Sequence, residues 1–272
     1  MELNLLIFSK NRACQLDSLL RSMRDNFSGS SNKVFILYKA TDKLFADGYQ
    51  KLIAKRILDN IEWIEETSFK ADILEVLRKL PQESYLMFLV DDNVFYLPFD
   101  ISQIAPFFGK RHLFISLRCS RTYKDDIQPK FLRTENYLEW RWTFKSKPRG
   151  KWNYPFSVDG NIFHTGFFVK LVESLDFKAP NSFEGALHSK RWKLGVRWRS
   201  KALAPLESVL FNNPLNKVQT EGETWHKDVT AEELNARYCE GYIIDNRILY
   251  AAQPDSAHFA VDIIFKKEEP CR

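Results

Sequence analysis

The feature that most constrains this chain is the rhythm of its first hundred residues, where short apolar runs alternate with helix-spaced apolar patterns. Leu5 to Phe8 reads as a strand, and Leu16, Leu19, Leu20 and Met23 then recur at the i, i+3, i+4, i+7 spacing of one helix face. Val34 to Tyr38 repeats the strand and Phe45, Tyr49, Leu52 and Ile53 the helix. Ile61 to Ile64 and then Phe69, Ile73, Val76, Leu77 and Leu80 do so a third time. Strands alternating with helices of this length predict right-handed βαβ units, hence an α/β fold with a mainly parallel central sheet flanked by helices.

The fourth strand carries the chemistry. Tyr85 to Val90 is continuously apolar, as a strand buried on both faces must be, and it runs straight into Asp91, Asp92 and Asn93. Open α/β sheets place their ligand crevice at such a strand end. Ionised carboxylates left dry and unpaired are expensive, so these must face water, a cation or hydrogen-bond donors. An Asp-Asp-Asn turn held by local hydrogen bonds is the plain alternative.

After Phe95 the rhythm breaks. His112 to Leu117 reads as another buried strand, Arg118 to Lys151 as an irregular polar and aromatic stretch, and Asn161 to Val169 as a strand. A helix is expected to begin near Ser182, and a last one at Thr230, where Glu233 completes a capping box. Asn216 to Asp228 has little periodicity and reads as a mobile lid.

Composition narrows the setting. At 272 residues one domain can bury a large core. Cys14, Cys119, Cys239 and Cys271 are scattered, as thiols of a reducing compartment are. No signal peptide or membrane span is legible, so the expected location is cytoplasmic, with peripheral attachment to the inner face of a membrane left open. The net charge of +5 is uneven: Arg141 to Lys201 holds thirteen Lys and Arg against four acids. Trp140, Trp142, Trp152, Trp192 and Trp198 lie in or beside that stretch. Aromatic faces among cations suit sugars, phosphates, nucleic acid or lipid headgroups, whereas a solvated basic face with inward tryptophans would carry no ligand.

The opening strand running into Ser9, Lys10, Asn11 and Arg12, the three βα units and the strand ending in Asp91, Asp92 and Asn93 together resemble the nucleotide-binding half of a GT-A glycosyltransferase. The resemblance implies a single GT-A-type Rossmann-like domain over residues 1–272. Residues 1–100 would bind the nucleotide-diphospho-sugar, and residues 101–272, with their lid and terminal helix, the acceptor. It implies a divalent metal, Mn2+ or Mg2+, on an Asp-x-Asp-like motif. Asn93 stands where the family has an acid, which favours Asp92, with Asp91, as direct ligands; an amide oxygen also binds hard cations. Donor contacts are expected from Ser9, Lys10, Asn11, Arg12, Lys39, Lys70, Asp72 and Asp91.

For the acceptor half, Ser157, Val158, Asp159, Gly160 and Asn161 resemble the segment that borders donor sugar and acceptor in this family, with Asp159 as a catalytic candidate. Glu184, expected in the first turn of a helix where the dipole favours its ionised form, is the candidate general base of an inverting transfer. His258 is the candidate late metal ligand, whereas His164 reads as a core histidine. The implied acceptor is a glycan or lipid-linked saccharide, of anionic character to suit the basic stretch, as in polysaccharide biosynthesis. Two other classes remain open. A nucleotidyltransferase acting on sugar phosphates normally has a glycine-rich first loop, which is absent here. A non-catalytic binder of polysaccharide or nucleic acid would leave the strand-end acids unexplained, and nucleic acid is not an expected partner.

Overall fold

A computed structural model describes residues 2–29, 33–119, 121, 123, 128–142, 150–190, 198–216 and 229–268. Three βα units open the chain: β1 (Leu3–Lys10) and α1 (Ala13–Asn26), β3 (Val34–Lys39) and α2 (Lys43–Ala54), β4 (Ile61–Glu65) and α3 (Phe69–Lys79). The two-residue β2 (Phe27–Ser28) lies between α1 and β3. The fourth strand, β5 (Tyr85–Val90), has the limits its apolar run predicts, and β6 (Asn93–Phe95), β7 (Phe99–Asp100) and β8 (His112–Ser116) follow.

Next come β9 (Phe131–Arg133), β10 (Tyr137–Arg141), β11 (Asn161–His164), α4 (Thr165–Glu173) and α5 (Pro180–Lys190). The chain continues with β12 (Lys201–Pro205), β13 (Leu210–Asn212), α6 (Ala231–Cys239), β14 (Tyr242–Ile244), α7 (Asn246–Tyr250) and β15 (Phe265–Lys267).

Nine strands form one sheet in the order β4-β3-β1-β5-β11-β8-β12-β10-β9. The first four are parallel, with Leu5 beside both Val34 and Met87. β11 then enters antiparallel between β5 and β8, while β12 is parallel to β8. The α/β architecture expected from the rhythm is therefore present, and the later strands extend it as a mixed sheet.

The sheet divides the core into two layers. One face packs Leu16, Leu19 and Leu20 of α1, Tyr49 and Leu52 of α2, and Leu234 and Tyr238 of α6. The other packs Phe69 and Ile73 of α3, Phe168 of α4, and Phe183 and Leu187 of α5. The helical apolar spacing thus faces the sheet, as burial of a stripe requires.

One expectation is corrected and one open alternative is decided. The apolar run Asn161 to Val169 is a strand only as far as His164; from Thr165 it is α4, with the Thr165 and Gly166 amides donating to Ser84 and Gln82 carbonyls at 3.0 Å. A short apolar run stays buried in either conformation, so its pattern alone could not decide. Trp140, Trp142 and Trp152 face the core. Their burial is tolerable because the Trp140 and Trp142 indole N–H groups donate to the Trp152 and Arg199 carbonyls at 2.9 and 2.8 Å. Trp198 is 84% exposed, and Trp192 lies outside the described residues. The lid expectation falls on residues outside the described set apart from Asn216. The capping box on α6 forms as expected.

Candidate functional site

The carboxylates of Asp91 and Asp92 emerge where β5 ends, and the chain immediately pairs β6 with β13. That pairing brings in distant residues. The Asn212 side-chain amide donates to Asp92 at 2.6 Å, and the Asn213 backbone amide donates to the Asp92 carbonyl at 2.8 Å. Asn212 in turn bridges to the 257–259 stretch through its own amide and carbonyl, which carries His258 to the crevice.

Arg12, at the end of the β1 loop, is buried between the two acids. One terminal nitrogen lies 3.1 Å from both Asp91 and Asp92, while the rest of the guanidinium is held by the Asn216 side chain at 2.7 Å and by its carbonyl. Asp91 also accepts from the Lys10 amide at 3.2 Å and from Ser9. Its oxygens thereby fasten the β1 loop. Asp92 is left facing Asp159 and His258. Asn93, the third motif position, turns back, its side-chain oxygen accepting from the Val90 amide at 2.9 Å.

Asp159 sits in the turn before β11, where Gly160 takes a positive φ of 72° and an added Cβ would meet Leu210 at 2.8 Å. Its carboxylate accepts from Arg118 at 3.0 Å and lies 3.3 Å from the His258 imidazole. Glu184 reaches the same turn from α5, accepting from the Val158 amide at 2.7 Å and the Tyr154 hydroxyl at 2.9 Å. The dipole expectation for Glu184 is corrected: α5 begins at Pro180, so Glu184 lies beyond the first turn, which holds no acid.

The acids differ electrostatically. Asp92 is pushed up to about 7, first by burial and then by the carboxylates of Asp91 and Asp159, with Arg12 and His258 opposing. Asp91 is also raised by burial, against the pull of Arg12. For Asp159 burial works against ionisation, yet His258, Arg118 and Asn93 together bring it down to about 2. Glu184 is raised by burial and by Asp159. Such divergent neighbours are what acid–base and charge-stabilising roles require.

Other expected donor contacts are engaged locally. Lys39 pairs with Glu66 at 3.0 Å, Lys70 lies 4.0 Å from Asp176, and Asn11 caps Thr41. Asp72 accepts from the Thr67 and Ser68 amides at 2.8 and 2.9 Å, stabilising the start of α3. None of these side chains joins the carboxylate cluster. His164 is a half-buried core residue stacked on Phe108 at 4.3 Å, lowered to about 4 chiefly by burial, and its Nε2 lacks a partner among the described residues. Sequence reasoning missed Arg118, Asn212, Asn216 and Tyr154. Arg118 could have been found, since it follows the apolar run of β8 much as Asp91 follows β5.

The parallel strands that open the sheet and the acidic end of β5 define a Rossmann-like α/β chain with a crevice at the carboxyl ends of those strands. A curated glycosyltransferase resembles it in sequence: the bifunctional glycosyltransferase pgtA of Dictyostelium discoideum is 24% identical over 213 residues, which cover 67% of this chain. The chain spans only 27% of that relative. No family model matches. Partial structural likenesses include the S. aureus TarS fragment 1-349 in complex with UDP (13% identity, 70% of this chain and 54% of that one, TM-score 0.47). Another is the mannosyltransferase PcManGT from Pyrobaculum calidifontis in complex with GDP-Man and Mn2+ (11% identity, 76% and 56%, TM-score 0.45). A third is the 4-diphosphocytidyl-2C-methyl-D-erythritol synthase from Anaerococcus prevotii (12% identity, 76% and 88%, TM-score 0.45). Among the described residues no helix is long and apolar enough to cross a membrane.

Proposed function

We propose that this chain transfers a glycosyl group from a nucleotide-diphospho-sugar to an acceptor hydroxyl. The observation that carries the reading is convergence: Asp92, Asp159, Glu184 and His258, from four separate stretches of chain, meet with Arg12 and Arg118 at one strand end. The relative's glycosyltransferase activity supports it.

A divalent cation fits this donor set. Asp92 and Asp159 offer hard oxygens and His258 an imidazole, and Asp92, crowded by two carboxylates, gains most from added positive charge. Among the described residues no trio of His, Cys, Asp or Glu is already arranged to hold a metal, so these side chains would turn to receive one. Bound there, it would neutralise charge on the departing diphosphate.

The chain's own residues divide the rest. Arg12 and Arg118 provide fixed positive charge beside the leaving group. Glu184, whose affinity for a proton is raised toward working pH, takes the proton of the acceptor hydroxyl, and Asp159, ionised throughout, supplies charge without competing for it. Direct attack assisted by such a base inverts the anomeric centre. The acceptor enters beside Tyr154 and Asp159, from the half expected to bind a glycan or a lipid-linked saccharide.

Thermal unfolding with a panel of nucleoside diphosphates, with and without Mn2+, tests this reading. The matching nucleotide at a hundred times its dissociation constant stabilises by about 2.7 kcal/mol, and Asp92→Ala should abolish the metal-dependent part. If no nucleotide shifts the midpoint, the reading fails. Glu184→Gln should retain nucleotide binding while losing turnover, and full activity in that variant would remove Glu184 as the base.

A further inference from the structure

Away from the carboxylates, a cavity of about 360 Å³ opens between the end of α1, α7 and β15. Nine residues of chain, roughly 13 Å of helix, separate its Arg21 from Arg12. Arg21 and Arg24 enter it from α1, Arg247 from α7, and Lys266 and Lys267 from β15, against the acids Asp25, Asp245 and Glu268. These acids are already engaged. Asp245 is held by Arg247 at 2.5 Å and faces Lys266 at 3.7 Å, Asp25 pairs with Arg24 at 3.0 Å, and Glu268 pairs at 2.8 Å with Lys55. Of the cations, Arg21 is held by Asp17 at 2.6 Å, outside the cavity, and Asp17 also shares Lys55, which leaves five lining cations against three lining acids. The Lys267 ammonium has no partner among the described residues. The cavity therefore presents net positive charge to an incoming ligand.

Two large apolar side chains flank it in solvent. Ile264 is 54% and Ile248 36% exposed. Both are tied to the cavity wall through Asp245, whose amide donates to the Ile264 carbonyl at 2.8 Å and whose carbonyl accepts from the Ile248 amide at 3.2 Å. A soluble phosphate would use the cations and leave the isoleucines wet. Cations beside exposed aliphatic anchors match the anionic, partly apolar boundary layer of a bilayer.

We propose that this face docks on an anionic lipid surface, the cavity taking a headgroup phosphate while Ile248 and Ile264 enter the interfacial layer. The proposal does not depend on what binds at the carboxylates. Attraction of this kind weakens with salt.

Co-sedimentation of the full chain with vesicles of phosphatidylcholine, alone or mixed with phosphatidylglycerol, tests it. Binding is expected only to the mixed vesicles and is expected to fall as salt rises. Removing one basic charge near the surface lowers partitioning roughly fivefold, so Lys266→Glu with Lys267→Glu should reduce it by more than an order of magnitude. Ile248→Ser with Ile264→Ser should weaken it while leaving the salt dependence in place. All four positions are solvent-exposed, and unchanged thermal midpoints verify the fold of the variants. Equal binding by the charge-reversed variant, or a thermal shift with inorganic phosphate and no vesicle binding, would overturn the proposal. Loss of nucleotide binding in the wild-type chain would leave it standing and sink only the transferase reading.

Discussion

Two buried clusters of charge flank α1, and they are built on opposite terms. At one, Asp17, 1% exposed, is met by Arg21 at 2.6 Å, Lys55 at 2.7 Å and the Tyr238 hydroxyl at 3.0 Å. One acid has two cations and a hydroxyl, and the cluster ties α1 to α2 and α6. At the other, Asp91, Asp92 and Asp159 share Arg12 and Arg118, and burial, with the neighbouring carboxylates, pushes Asp92 up to about 7. The first arrangement holds helices together. The second leaves electrostatic demand unmet, which is what a site awaiting a charged ligand requires.

This contrast predicts opposite responses to neutralising an acid. Asp17→Ala leaves the largely buried Arg21 without an acid and Lys55 with Glu268 alone, and should cost about 3 kcal/mol, lowering the melting midpoint by roughly 8 °C. Asp92→Asn keeps an acceptor for Asn212 and removes a repelled charge, so its midpoint should match or exceed the wild type at pH 8. A large loss at both positions would erase the distinction.

The pH dependence of stability sharpens it. Asp92 has its folded pKa raised from the usual 3.8 to about 7, so folding favours its protonated form. Its contribution therefore declines as pH rises from about 4 and levels off above about 7. The shift corresponds to at most about 4 kcal/mol. Asp159, lowered to about 2, contributes in the opposite sense: its stabilisation is present above pH 4 and lost as pH falls toward 2. Asp91 and Glu184, also raised, give slopes of the same sign, so denaturant unfolding between pH 4 and 8 should show a steeper decline in the wild type than in Asp92→Asn.

Metal binding should follow the same proton. Below about pH 7 a cation must displace it from Asp92, at a cost approaching tenfold in affinity per pH unit. The Mn2+-induced rise in midpoint should therefore grow between pH 6 and 8, and a flat response would take Asp92 out of the metal site. The smallest effect concerns the balanced cluster alone. Thr230→Ala removes the cap of α6, which carries Tyr238, and should cost about 1 kcal/mol without altering the pH slope due to Asp92.

The first hundred residues were legible because local periodicity and burial agree there: strand and helix each turn their apolar positions toward the same sheet. Asp91 and Asp92 could be placed for that reason. The second half was less so. Glu184 lies against the Asp159 turn, and its place along α5 depended on a start at Pro180 that the Asn181–Ser182 pair obscured. Asn212 and Asn216 carried no visible signal, since an asparagine after an apolar run marks a turn as readily as a partner for an acid 120 positions away. The tryptophans stayed undecided because composition cannot tell a satisfied buried indole from a sugar platform.

The pairing of β6 with β13 also has a kinetic meaning. Asp92 joins its parallel strands through contacts within the first hundred residues, whereas its partners arrive across separations of 120 positions for Asn212 and, for the Arg12–Asn216 tie, 204. Contacts that distant close slowly, because chain entropy must be surrendered before they form. The N-terminal half can therefore take shape while the chain is still emerging from the ribosome, and the crevice becomes complete only after His258 has been made, so that its full set of side chains is the last thing to assemble.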